Sequence, residues 1–157
     1  MSGGISINWL NAKIKNFHAG KKLSSFPKGY TIEVSKLTGR GVLFPSEAFR
    51  YGLYNDRHYK QCEDTEFPRR LQKEGYKLIV AYDVPVFRYS SSKKHINTIQ
   101  NYKISDLYKY FWNIRSNQNL RYRFWFAYDC ATSFLTGTLY FVCDFARIAW
   151  HFLVRLQ

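Results

Sequence analysis

GRGVLFPSEAFRYGLYNDRHYKQCEDTEFPRRLQKEGYKL, residues 39–78, is the stretch on which the fold turns. It opens on two glycines that flank Arg40 and a short apolar run, the pattern of a small strand at 41–44. Pro45-Ser46-Glu47 then predicts a helix, because proline suits a first helical turn and an acid there complements the helix dipole. That helix is expected to stop near Tyr51-Gly52. An irregular loop follows, and residues 63–74 read as a second helix closed by Gly75 in the left-handed position beyond its end. Glu63, Asp64 and Glu66 crowd the first turn of this second helix. A carboxylate held there at the mouth of a loop can take a proton from a hydroxyl. The same acids would equally serve as plain helix caps.

Working outward, residues 5–9 and 14–17 read as a hairpin turning near Asn11, and 30–34 alternate as a strand. Residues 77–82 and 84–89 look like two further strands separated near Asp83. From about Asn97 the pattern is helical. Alternation of short strands and helices up to residue 89 argues for an α/β fold. Charge divides the chain along the same lines. Residues 1–32 carry five lysines and no acid, while residues 33–83 hold eight of the eleven acids. From 84 to 128 the only acid is Asp106, and the last 29 residues are nearly neutral and strongly apolar. Two domains are therefore expected, an α/β unit over 1–103 and an aromatic, basic helical tail over 104–157.

Composition narrows the partners. The formal charge is +13 and aromatic residues make up 19% of 157. Such a chain suits a phosphate-bearing partner, either a nucleic acid or an anionic membrane surface. No helix-turn-helix, RNP or zinc motif is present, and the central acids would repel phosphate, so nucleic acid is not expected. Cys62, Cys130 and Cys143 are odd in number and lack the paired spacing of a zinc site, which favours a reducing compartment over a disulfide framework. Met1-Ser2-Gly3-Gly4 leads into no apolar leader core. Residues 130–143 form the longest charge-free apolar stretch near the C-terminus, and fall short of the roughly 20 needed to span a bilayer.

The tail is amphipathic. With 100° per residue counted from Asp129, every later charged residue falls in a stripe about 100° wide. The remaining face carries Phe134, Leu135, Leu139, Phe141, Val142, Phe145, Ile148, Trp150, Phe152 and Leu153. So wide an apolar face asks for a membrane interface or a partner helix, the plainer alternative being a helical hairpin packed on the rest of the chain. Arg115, Arg121, Arg123, Trp112, Trp125 and Trp150 are the expected membrane contacts, since cations beside tryptophans suit the headgroup level.

Several elements of 39–78 together resemble the acceptor-side half of family 2 glycosyltransferases, the bacterial rhamnosyltransferase-like members in particular. The matching residues are Gly39-Arg40-Gly41-Val42-Leu43, then Gly52-Leu53-Tyr54-Asn55-Asp56, then Glu63-Asp64, and finally Arg69, Arg70, Gly75 and Tyr76. The resemblance covers residues 39–89 and extends over 1–38 as a preceding hairpin and strand. It implies a partial GT-A-like mixed sheet with helices, followed by long C-terminal amphipathic helices. It further implies that Asp64 deprotonates the acceptor hydroxyl in an inverting transfer and that Glu63 helps shape the site. Gly39, Arg40 and Gly41 would line the substrate, although Arg40 could equally brace its loop. One of Arg69 and Arg70 is expected to pair with Glu66 or Glu74. The segment from Phe111 to Asn117 resembles the aromatic–Arg–Asn tail such enzymes place beside the membrane, because their acceptors are lipid-linked.

The same resemblance implies a nucleotide-sugar donor, a membrane-linked glycan acceptor and a divalent metal, Mg or Mn, in the complete enzyme. Yet no Asp-x-Asp occurs in the sequence, and the nucleotide-binding half that would carry it is expected to be missing ahead of Met1. His95, in a Ser/Lys loop, is the nearest candidate for the metal-facing histidine of related enzymes. The expectation is thus a fragment or one subunit of a split enzyme. A partner chain or a homo-oligomer would complete it on the cytoplasmic, inner face of the membrane. The alternative is a non-catalytic membrane-surface scaffold derived from such an enzyme. An incomplete sheet with an open edge should make the chain prone to self-association.

Overall fold

The structure is a computed structural model that describes residues 4–37, 41–53, 55, 63–86, 102–114 and 116–156, except for the side chains of 63 and 64. Strand β1 (Ile5–Ile7) pairs antiparallel with β2 (Ile14–Asn16), Ser6 facing Lys15. The six residues between them are too few for a parallel crossover, so the hairpin is forced. Asn11 sits in the turn, its Oδ1 accepting from the Lys13 amide at 3.0 Å. Strand β3 (Thr31–Glu33) pairs antiparallel with β4 (Ile79–Ala81). The two ribbons touch where the amides of Ser35 and Lys36 both donate to the Ile5 carbonyl.

The architecture is mixed α and β, with helices dominant. Among the described residues the strands form two antiparallel two-stranded ribbons. Residues 41–44 form no strand, and Leu43 is 94% exposed. Nor do residues 84–86, where Pro85 lacks an amide to donate and Val84 and Val86 stand exposed. The rest of that expected strand, 87–89, lies outside the described residues.

A 3-10 helix, Ser46–Tyr51, follows Pro45 and ends at Gly52 as expected. Helix α1 (Glu63–Lys73) comes next, with Gly75 at φ +91° beyond its end. Helices α2 (Leu107–Trp112), α3 (Leu120–Cys130) and α4 (Phe134–Val154) follow among the described residues. The continuous helical pattern from Asp129 onward is broken at 131–133. There Ser133 caps α4, its side chain accepting from the Thr136 amide while Thr136 reaches back to the Ser133 amide. Asn119 caps α3 and also donates to the carbonyls of Trp112 and Asn113, so one buried amide joins the end of α2 to the start of α3.

Among the described residues, three apolar clusters hold these elements. Ile7 and Ala12 of the N-terminal hairpin region pack with Ala127 of α3 and Tyr140 of α4, so the start and end of the chain share a core. Tyr110 and Phe111 of α2 pack with Ile148 and Phe152 of α4. Ala48, Phe67 and Leu71 form the third cluster, with Phe44, Tyr51 and Tyr76 around it. Helices α3 and α4 cross closely at Gly137, where a Cβ would lie 2.9 Å from the Ala127 carbonyl oxygen.

Candidate functional site

Helix α1 carries the sequence-predicted catalytic pair in its first turn. The backbones of Glu63 and Asp64 open the helix, and the charges they bring suit its N-terminal dipole. Their side chains lie outside the described residues, as do Gly39, Arg40, Asp56, Cys62, His95 and Arg115. The rest of α1 is held on three sides. Thr65, Glu66, Phe67, Pro68 and Leu71 are buried. Gln72 Nε2 donates to the Val34 carbonyl at 2.9 Å, fixing the helix to the end of β3. Arg69 Nε donates to the Cys130 carbonyl at 2.9 Å while its guanidinium lies 5.1 Å from the centre of the Trp9 ring. Burial presses its affinity for a proton below the usual arginine range, the Cys130 thiol working weakly the other way.

Arg70 ties the loop before α1 to the helix itself. Its Nη1 donates to the Tyr51 carbonyl at 2.8 Å and its Nη2 to the Leu53 carbonyl at 2.6 Å. Its Nε stands 3.1 Å from Glu66, whose carboxylate is 6% exposed. A guanidinium can do this because its donors are fixed in one planar fork. Gly52, between the two carbonyls, has φ +95°, and a Cβ there would meet Arg70 Nη1 at 3.0 Å. The Gly52-Leu53 segment and the helix opening on Glu63-Asp64 are thereby locked to one another. Of the two arginines considered from the sequence, Arg70 makes the pair with Glu66, and Arg69 bonds Gln72 instead. Gly41 has φ +67°, and a Cβ on it would fall 2.4 Å from Val86 Cγ2. Its place in the glycine-flanked motif therefore has a backbone reason.

Among the described residues no group of three or more His, Cys, Asp or Glu lies together to hold a metal ion. The described donors therefore do not form a fitting site for the divalent metal implied by the resemblance.

The tail residues separate into two environments. Trp112 and Trp150 are 54% and 65% exposed, and Arg121 is exposed on α3. Trp125 is half-buried. Arg123 is turned inward: its guanidinium pairs with Asp144 of α4 and donates to the Asn117 carbonyl. Asp144, 1% exposed, also takes Arg147. Sequence reasoning placed Asp144 in a polar stripe without foreseeing that this stripe faces the protein. A lone acid three residues before an arginine in an otherwise apolar helix was the available signal. No helix among the described residues is long and apolar enough to cross a membrane.

No protein-family model, curated protein or solved structure matches the chain.

Proposed function

We propose that this chain is the acceptor-side portion of an inverting, family 2-like glycosyltransferase. It would act from the inner face of a membrane on a lipid-linked glycan, in the synthesis of surface polysaccharide. The observation carrying this reading is the union of the motif's separate parts. Phe44, Tyr51, Phe67, Leu71 and Tyr76, spread over the resembling stretch, converge on one cluster, and Arg70 clamps the Gly52-Leu53 segment to the helix that opens on Glu63-Asp64. Order, spacing and packing thus agree.

In this reading Asp64 removes the proton from the acceptor hydroxyl as its oxygen attacks the anomeric carbon of a nucleotide-sugar. The new glycosidic C–O bond forms opposite the bond that breaks. The nucleoside diphosphate leaves with that electron pair, and the anomeric configuration inverts. Glu63 helps shape the acceptor side, and the donor is presented by a partner chain or by protein beyond these elements. The outward apolar residues of α4 support a position at a membrane surface.

The test is replacement of Asp64→Asn in the gene, followed by labelled-sugar incorporation into lipid-linked glycan in membranes from the same cells. Loss of a general base predicts a fall of roughly a hundredfold or more at unchanged protein abundance. Full incorporation by the variant would remove Asp64 from the chemistry and favour a non-catalytic membrane-surface subunit.

A further inference from the structure

Helix α4 is apolar on two sides, one packed into the core through Tyr140, Ile148 and Phe152 and the other turned outward. Its inward side carries Asp144, paired with Arg123 and Arg147, and Arg147 also donates to the Ala12 carbonyl at 2.7 Å. Its outward side carries Leu135 (68% exposed), Leu139, Val142, Trp150 and Leu153. At 100° per residue these positions and Ala146 fall within a sector about 80° wide, and 21 residues at the helical rise make a strip about 32 Å long. An uninterrupted exposed strip of this kind marks a contact surface.

We propose that α4 lies flat in an anionic lipid bilayer, with this strip at the boundary of headgroups and acyl chains. The Arg123–Asp144–Arg147 network would help the core contacts of Tyr140, Ile148 and Phe152 hold the other side of the helix against the protein. The inference rests on the membrane placement above and is independent of the transferase chemistry. Charge selects the occupant. Lys103 just ahead of α2, Lys109 on α2, Arg121 on α3 and Arg155 at the end of α4 are exposed. The acids of this region are withdrawn: Asp144 is buried, Asp106 lies 3.7 Å from Lys109, and Asp129 is half-buried. A second copy would bring another chain of charge +13 against the first. Anionic headgroups would neutralise the cations instead. The buried charges at mid-helix fit a helix lying in the interface rather than crossing it.

Flotation of the purified full chain with vesicles tests this, using phosphatidylcholine alone and phosphatidylcholine containing phosphatidylglycerol. The chain should float with the second and far less with the first, and added salt should weaken its binding. The triple substitution Leu135→Ser, Val142→Ser and Leu153→Ser changes only exposed positions. It should lower the bound fraction by roughly tenfold or more while circular dichroism stays unchanged. Undiminished flotation of the triple variant would leave the chain on the membrane by another face and overturn the assignment of this strip. Failure of the wild-type chain to float would overturn both the strip and the membrane placement. A wild-type dimer made monomeric by the triple substitution, without vesicle binding, would assign the strip to a second copy instead.

Discussion

Cys130 closes α3 in a position that removes it from redox chemistry. It is 1% exposed, and burial, helped by the nearby Glu66 and Asp129 charges, pushes its thiol up to about 12. An exposed thiol titrates near about 8.5. The folded chain therefore keeps a proton that the unfolded chain gives up across the interval between. Its full contribution to stability is present below the unfolded value and is lost as pH rises through the folded one, at about 1.4 kcal/mol per pH unit for this single group. Burial also raises the Tyr140 hydroxyl, which acts in the same direction at still higher pH. Urea midpoints recorded from pH 7 upward should fall above about pH 8.5. In Cys130→Ala that fall should be shallower, and an identical profile in the variant would place the alkaline sensitivity elsewhere.

At the level of elements, Arg70 decides whether a loop and a helix behave as one unit. Arg70→Lys keeps the charge, but an ammonium on a flexible stem cannot reach two carbonyls and the Glu66 carboxylate together. The half-buried Tyr51 carbonyl or the buried Glu66 carboxylate would be left short, so the substitution should cost about 1 kcal/mol in urea unfolding. Equal stability of Arg70→Lys would mean that the fork geometry contributes nothing. How far such elements were legible in the sequence follows from whether their signals are local. The hairpin around Asn11, the helix stops at Gly52 and Gly75, and the extent of α1 all follow from turn and capping residues within a few positions. The expected strand at 41–44 misled because a short apolar run does not by itself supply a pairing partner, and pairing is a long-range property. The break at 131–133 was signalled by Ser133, yet the continuous charge stripe concealed it. The Arg70 clamp could not be read beyond the expectation that Arg69 or Arg70 pairs with Glu66 or Glu74, since Tyr51 and Leu53 offer only backbone carbonyls, which carry no sequence signature.

For the molecule as a whole, charge patterning separates the two ends of the chain, whereas packing joins them. Ile7 and Ala12 bury themselves against Ala127 and Tyr140, Trp9 stacks on Phe126 at 5.7 Å, and Arg69 carries the same contact into α1 through Trp9 and the end of α3. A hairpin of two three-residue strands has little stability alone. Its order thus depends on α3 and α4, just as the inward side of α4 depends on Arg147 reaching the Ala12 carbonyl. This mutual dependence also keeps the apolar strip of α4 facing outward, because the Asp144 side of the helix is anchored from the hairpin as well as from α3. Ile7→Ala removes a side chain that is 7% exposed and should cost about 2–4 kcal/mol. The loss should appear as one shifted transition, with helical circular dichroism and tryptophan fluorescence moving together in urea. If fluorescence from the hairpin's Trp9 is lost first while the helical signal keeps its wild-type midpoint, the N-terminal ribbon is an independent appendage and the shared core does not couple the two ends.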